Sequence, residues 1–96
     1  MTEKKSPHLW TMKLKLIGHN MPLIRILLTL RKFRVGIESF KVDRHNKIHW
    51  SANFLLDFQL STRTDTVFKK IARLYDVESL AYSRGKKLSP KAILLK

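Results

Sequence analysis

The sequence predicts an α+β sandwich in which a four-stranded antiparallel sheet carries two helices on one face. Two segments, 9–17 and 48–60, alternate apolar and polar residues with the period of two that strands require. Two others, 22–33 and 64–75, repeat apolar residues at helical spacing. With 96 residues, 44% of them hydrophobic, the chain suffices for one small domain with a core. We divide it into a mobile N-terminal segment 1–8, a domain 9–83 and a basic tail 84–96.

The first two elements are a strand and a helix, joined by the junction "GHNM". In "LWTMKLKLI" the apolar side chains share one face and Lys13 and Lys15 lie on the other, which indicates a strand with one solvated face. Asn20 is expected to cap the following helix, and Pro22 to occupy its first turn. The apolar stripe of that helix consists of Leu23, Ile26, Leu27, Leu30 and Phe33.

The remaining elements follow in the order strand, strand, helix, strand. "VGIESFKVD" is interpreted as the second strand, "DRHNK" as a turn, and 48–60 as a long third strand. "STRTDTVFKKIARLYD" predicts the second helix, capped by Thr64 or Asp65, and "VESLAYS" a short last strand. Short connections and right-handed crossovers then predict a ferredoxin-like βαββαβ sandwich with one open sheet face. The apolar patch Ile93–Leu95 is either a docking element or simply the end of the chain.

Composition restricts the classes of function. Lys and Arg number 20 against 7 Asp and Glu, which gives a net charge of +13 and suggests an anionic partner or a solvated surface. The basic residues are spread along the chain, which favours a solvated surface or an acidic protein partner over nucleic acid. The absence of cysteine and of any apolar run near the roughly 20 residues of a membrane span fits a cytoplasmic protein. "MTEKKSPH" is not followed by the apolar segment of an export signal.

The sequence contains no pattern typical of a catalytic or metal site. The histidines, His8, His19, His45 and His49, do not have zinc-ligand spacing, the carboxylates are scattered, and no Gly-rich phosphate loop occurs. RNA binding on an open sheet face requires exposed aromatic rings. Here the aromatic residues share the parity of the aliphatic core set: Trp10, Trp50, Phe54 and Phe58. We therefore expect a non-enzymatic chain without a metal, for which nucleic acid is a disfavoured partner.

Two motifs resemble a known family. "VGIESFKVD" after a helix ending in "LRKFR", and "VFKKIARLYDVESLAYS" near the end, are similar to the ACT domain. More narrowly, they resemble the short, single-domain form of the small regulatory subunit of acetolactate synthase (acetohydroxyacid synthase). The resemblance spans about residues 10–83. It implies a homodimer, with sheets joined edge to edge, that binds and activates the catalytic large subunit in branched-chain amino-acid biosynthesis. Thiamine diphosphate, magnesium and FAD would then belong to the large subunit, and this chain would carry no cofactor.

The resemblance also implies candidate sites. In that family, small amino acids such as valine bind where two ACT domains meet, at a Pro-Gly step in the loop between strand 1 and helix 1, where helix amides favour a carboxylate. Asn20 and Met21 stand at that step here, with Pro22 one position later. The candidate effector residues are Gly18, His19, Asn20, Met21, Pro22 and Leu23. The candidate subunit interface comprises Ile24, Leu28, Ile37, Glu38 and Ser39.

Several alternatives stay open at the level of the sequence. The altered loop leaves undecided whether valine, leucine, isoleucine or no effector is bound, and the direction of regulation is equally open. The role of the basic tail and the identity of the large-subunit partner also stay open. The competing interpretation is a free-standing basic ACT-like module that binds another enzyme or nucleic acid and has no effector.

Overall fold

The protein has an α+β architecture of one five-stranded antiparallel sheet and two helices. A computed structural model describes residues 8–20, 22–60 and 63–95. The elements are β1 (Leu9–Ile17), α1 (Ile24–Lys32), β2 (Gly36–Arg44), β3 (His49–Asp57), α2 (Thr64–Ala72), β4 (Val77–Arg84) and β5 (Ile93–Leu95). In this part of the chain neither helix has the length and apolarity needed to cross a membrane.

The strand order is β2-β3-β1-β4-β5, which corrects the prediction of four strands. The tail residues Ile93–Leu95 form the additional strand, pairing with Leu80–Tyr82 of β4. This pairing satisfies backbone groups that an edge strand would otherwise expose. The first six elements follow the predicted order β-α-β-β-α-β, which is compatible with a ferredoxin-like α+β fold.

The two faces of the sheet differ in polarity. On one face Met12, Leu14 and Leu16 of β1 are buried with the inward-facing residues of β3, and they share a single core with both helices. The helical contributors to this core are Ile26, Leu30, Val67, Phe68, Ile71 and Ala72. The opposite face carries Lys13 and Lys15, both exposed. The predicted parity of the aromatic residues is confirmed, because Trp50, Phe54 and Phe58 are buried and Trp10 packs against the same core.

The predicted helix caps are wrong. The residue before α1 is Leu23, which makes no side-chain capping bond, so Asn20 does not cap the helix and Pro22 precedes it. The junction is instead tied to the sheet, since the Gly18 N–H donates to the Ile48 carbonyl at 2.7 Å. At α2, Thr64 and Asp65 lie inside the first turn, and Arg63 occupies the cap position without a side-chain bond.

The end of α1 has a backbone geometry that the sequence does not predict. Arg34 has a φ of 57°, in the left-handed region where glycine is usual. The Val35 N–H donates to the Leu30 carbonyl at 2.9 Å, and the Arg34 N–H to the Arg31 carbonyl at 3.1 Å. This is a Schellman motif, and it satisfies carbonyls that the last helical turn leaves unpaired.

Candidate functional site

The loop between β1 and α1 is fixed to the sheet by three hydrogen bonds. The Ile17 N–H donates to the Asp76 carbonyl at 2.9 Å, and the Gly18 N–H donates to the Ile48 carbonyl at 2.7 Å. The indole Nε1–H of Trp50 donates to the Gly18 carbonyl at 2.8 Å. Bonds from β3 and from the turn before β4 therefore set the position of the loop, in place of the predicted helix cap.

A cavity of about 450 Å³ opens beside this loop. It has the size of a small-molecule site, since such pockets usually measure roughly 300–1,000 Å³. One wall comes from the loop and the start of α1, and the other from the turn between α2 and β4. The lining residues are Gly18, His19, Asn20, Pro22, Ile24, Arg25, Tyr75 and Asp76.

The cavity brings together most of the predicted effector residues. Gly18, His19, Asn20 and Pro22 line it. Leu23 does not, because it is buried in the core with 4% of its surface exposed, so its assignment as an effector residue is not supported by its position. Met21 lies outside the residues that the structure describes.

The charged part of the cavity consists of Arg25 and Asp76, and the Tyr75 ring lies beside Arg25. The Arg25 guanidinium lies 4.3 Å from the centre of the Tyr75 ring, and its Nε is 4.0 Å from a carboxylate oxygen of Asp76. About half of the Arg25 side chain is exposed, whereas Asp76 is largely covered. A cation and a carboxylate are therefore held side by side at the mouth of the cavity.

The sequence-based site did not include Tyr75 and Asp76, yet a signal for them was available. In an antiparallel pair the end of one strand lies beside the start of its neighbour. The β1–β4 pairing places Leu16 opposite Val77, so the turn preceding β4 must lie next to the loop that follows β1. From the sequence, Arg25 could face the catalytic subunit or an effector, although a solvated side chain is favoured; its contact with Asp76 depends on this tertiary proximity.

The predicted interface residues all lie on the surface. Ile24 and Leu28 project from α1 with 70% and 59% of their surfaces exposed, and they are one helical turn apart. Ile37, Glu38 and Ser39 lie on β2, where all three are exposed. Within the described ranges, the outer edge of β2 pairs with no strand.

β2 also exposes an aromatic ring that was not assigned to the interface. Phe40 pairs with Phe54 of β3 and stacks on its ring, with a centroid separation of 5.4 Å, yet half of its surface is exposed. Because Phe54 is buried, Phe40 lies on the helix side of the sheet at the uncovered end. The edge of the sheet is therefore apolar on the same side as the exposed residues of α1.

No metal site is evident in the portions of the chain that the structure describes. There, no three His, Asp or Glu side chains lie close enough together to hold a metal ion. His45 and His49 lie near each other across the β2–β3 turn, where the His45 N–H donates to the His49 carbonyl at 2.9 Å. Their rings contact Ser51 and Asn46, respectively.

Comparison with known proteins adds no family assignment. No family model matches the chain, and no curated protein matches it. Its function must therefore be inferred from the geometry described above and from the sequence motifs.

Proposed function

We propose that this chain is a non-catalytic regulatory subunit of the ACT type, with a ferredoxin-like fold, that binds and activates the large subunit of acetolactate synthase. The observation that carries the proposal is the cavity of about 450 Å³ at the β1–α1 junction, bordered by the exposed Ile24 of α1. An effector site at a subunit interface requires a cavity that borders exposed interface residues, as this cavity borders Ile24. The motifs "VGIESFKVD" and "VFKKIARLYDVESLAYS" agree with it.

The proposed homodimer joins two β2 edges and packs the α1 helices of the two copies together. β2 is nine residues long and pairs with β3 on one side, so the backbone groups of alternate residues on its outer edge can form an antiparallel ladder with a second copy. Ile24, Leu28, Ile37 and Phe40 form what we term the seam residues, and all four are exposed. Association would bury these apolar side chains, at a gain of roughly 25 cal/mol per Å².

The chemistry of the cavity supports a zwitterionic effector such as valine, leucine or isoleucine. A free amino acid carries a carboxylate and an ammonium, and Arg25 and Asp76 supply the two opposite charges. Ile24 and Tyr75 supply apolar surface for the side chain of the effector. Because Arg25 and Asp76 already contact each other, the effector must either bind beside the pair or separate it. We therefore expect weak binding.

The proposal is tested by mixing the purified chain with acetolactate synthase large subunit from the same cell. We expect the two to co-elute on size exclusion and acetolactate formation to increase, and thiamine diphosphate, magnesium and FAD should be needed only by the large subunit. The assay is run at low salt, since the chain carries a net charge of +13 and an acidic docking surface would be screened at high salt. The absence of both co-elution and stimulation under these conditions would exclude the proposed role.

The dimer is tested separately with a matched pair of variants. Leu28→Lys places a charge among the seam residues and should convert the dimer to a monomer in light scattering. Leu94→Lys is the control, because Leu94 is 75% exposed and lies on β5, at the opposite edge of the sheet from β2. A monomeric parent chain, or the same oligomeric state for both variants in light scattering, would contradict association through β2.

A further inference from the structure

A second cavity opens on the polar face of the sheet, beside the end of β1 that leads into the β1–α1 loop. Its volume is about 280 Å³. Its polar lining comes from β1, β3, β4 and the turn between β2 and β3: Lys13, Lys15, His45, His49, Ser51 and Glu78. The proposed regulatory role does not involve this cavity.

The lysines of this cavity are not neutralised by the sheet. Lys13 lies between Asn53 on β3 and Ala81 on β4, and Lys15 lies between Ser51 and Ser79, so every direct cross-strand neighbour is uncharged. In the described part of the chain, the ion pairs are Arg25–Asp76 and His49–Glu78, and neither involves these lysines. Opposite charges on adjacent strands are the usual way to compensate such residues. Two ammonium groups are thus left unpaired at one cavity.

The other polar groups of the cavity have defined orientations. The Asn46 side-chain oxygen accepts the backbone N–H groups of Ile48 and His49, at 3.0 and 2.9 Å, which fixes it as an acceptor. The His49 Nδ1, 2.9 Å from the same oxygen, must therefore carry the hydrogen, and Nε2 is directed toward Glu78 at 3.9 Å. The Glu78 carboxylate therefore lies beside His49, with which it forms an ion pair only when the imidazole is doubly protonated, and it pairs with neither lysine.

Ser51 brings a hydroxyl next to Lys15. Its Oγ lies 2.9 Å from the His45 Nε2, and its strand position is directly opposite Lys15. A hydroxyl and an imidazole therefore flank the ammonium groups. Such a set of hydrogen-bond donors around two cations is suited to a doubly charged, oxygen-rich anion.

We propose that this cavity binds the phosphate group of a small phosphorylated molecule. Lys13 and Lys15 supply the charge, and the Ser51 hydroxyl can donate a hydrogen bond to the phosphate when it accepts one from the His45 Nε2–H. The size of the cavity favours a small ligand over a polymer, since 280 Å³ is at the lower limit of small-molecule pockets, which usually measure roughly 300–1,000 Å³. A single-stranded nucleic acid would also need exposed aromatic rings for stacking on this face. Trp10, Phe54 and Phe58 belong to the core side, and Trp50, which lines the cavity, is only 8% exposed. The inference does not depend on the proposed function.

The test is a titration of the full chain with inorganic pyrophosphate, followed by backbone amide chemical shifts at constant ionic strength. We expect saturable shifts confined to the amides near Lys13, Lys15 and Ser51. The double variant Lys13→Gln/Lys15→Gln should weaken binding about tenfold, since each exposed ammonium contact contributes a factor of roughly three. Equal urea midpoints of the variant and the parent chain establish that the sheet is intact.

The matched control removes the same charge elsewhere. Lys69→Gln/Lys70→Gln lies in the last turn of α2, on the other side of the sheet, and should leave the affinity within about twofold. Equal losses in the two double variants, or no saturable shift in the parent chain, would overturn the proposal. Tighter binding of a single-stranded oligonucleotide with a steep salt dependence would also overturn it, in favour of a nucleic-acid surface.

Discussion

Replacement of Trp50 by Phe tests whether a single side chain holds the loop of the candidate effector site. The indole Nε1–H donates to the Gly18 carbonyl at 2.8 Å, and Phe has no donor. Loss of this bond should cost about 1–2 kcal/mol of the free energy of unfolding, because the carbonyl is left without its partner. The smaller ring removes buried surface equivalent to one or two methylene groups, roughly 1 kcal/mol more. We therefore expect a total loss of about 2–3 kcal/mol in urea denaturation followed by circular dichroism.

Trp10→Phe is the matched control, because it makes the same change in ring size without the same hydrogen bond. Trp10 packs against the rings of Phe58, Phe68 and Tyr82. Its replacement should cost only the term for buried surface, roughly 1 kcal/mol. Hydrogen exchange gives a local readout, since the Gly18 amide should exchange faster in Trp50→Phe and not in Trp10→Phe. Equal losses of stability, with unchanged exchange at Gly18, would refute the role assigned to this bond.

Three further predictions concern other parts of the fold. Burial raises the pKa of the Tyr82 phenol, and the nearby Asp65 carboxylate, which accepts its hydrogen bond, raises the pKa further. The stability that Tyr82 contributes should therefore be fully present below about pH 10, the ordinary pKa of tyrosine, and be lost as the pH rises through the folded pKa. Asp65→Asn, in a Tyr75→Phe background that leaves Tyr82 as the one tyrosine, should lower the pKa measured by tyrosinate absorbance. An unchanged titration would contradict the role of Asp65. Arg34→Gly should raise the free energy of unfolding by about 0.5–1 kcal/mol, because a φ of 57° strains a residue that has a Cβ and not glycine. A lower melting temperature in the variant would contradict this backbone strain. The buried Ser83 hydroxyl donates to the Lys87 carbonyl and accepts from the Ser89 N–H. Ser83→Ala should therefore lower the free energy of unfolding by about 1–2 kcal/mol and speed amide exchange in the tail. Exchange as slow as in the parent chain would contradict a stabilising role for these two bonds.

The sheet and its core could be predicted because their pattern is strong. The alternation of 9–17 predicts β1 to the residue, and the buried parity of β3 follows from the same rule. The fifth strand could not be predicted, because three apolar residues after a basic segment fit either a docking element or the end of the chain. Its formation depends on the free edge of β4, which is a tertiary feature.

The candidate site was predicted only along one segment of the chain. The predicted effector residues, Gly18 to Leu23, come from the resemblance, which places the ligand at the loop between strand 1 and helix 1. The other wall of the cavity comes from Tyr75 and Asp76, more than 50 positions away, through the pairing of β1 with β4. The predicted cap of α1 was wrong because hydrogen bonds between Gly18 and both Ile48 and Trp50 fix the loop, and the helix begins only at Ile24, four residues after Asn20.

The fifth strand also restricts how two copies can associate. It covers the β4 side of the sheet, so the long unpaired edge among the described elements is that of β2. If two copies join through β2, their sheets become continuous and the helices stay on one side of the combined sheet. The polar faces then lie together on the other side, with both cavities that contain Lys13 and Lys15 still open. A dimer of this form leaves the proposed phosphate sites accessible, so pyrophosphate should bind the parent chain and the monomeric Leu28→Lys variant with the same affinity. A difference between the two would mean that the seam and the polar face are coupled.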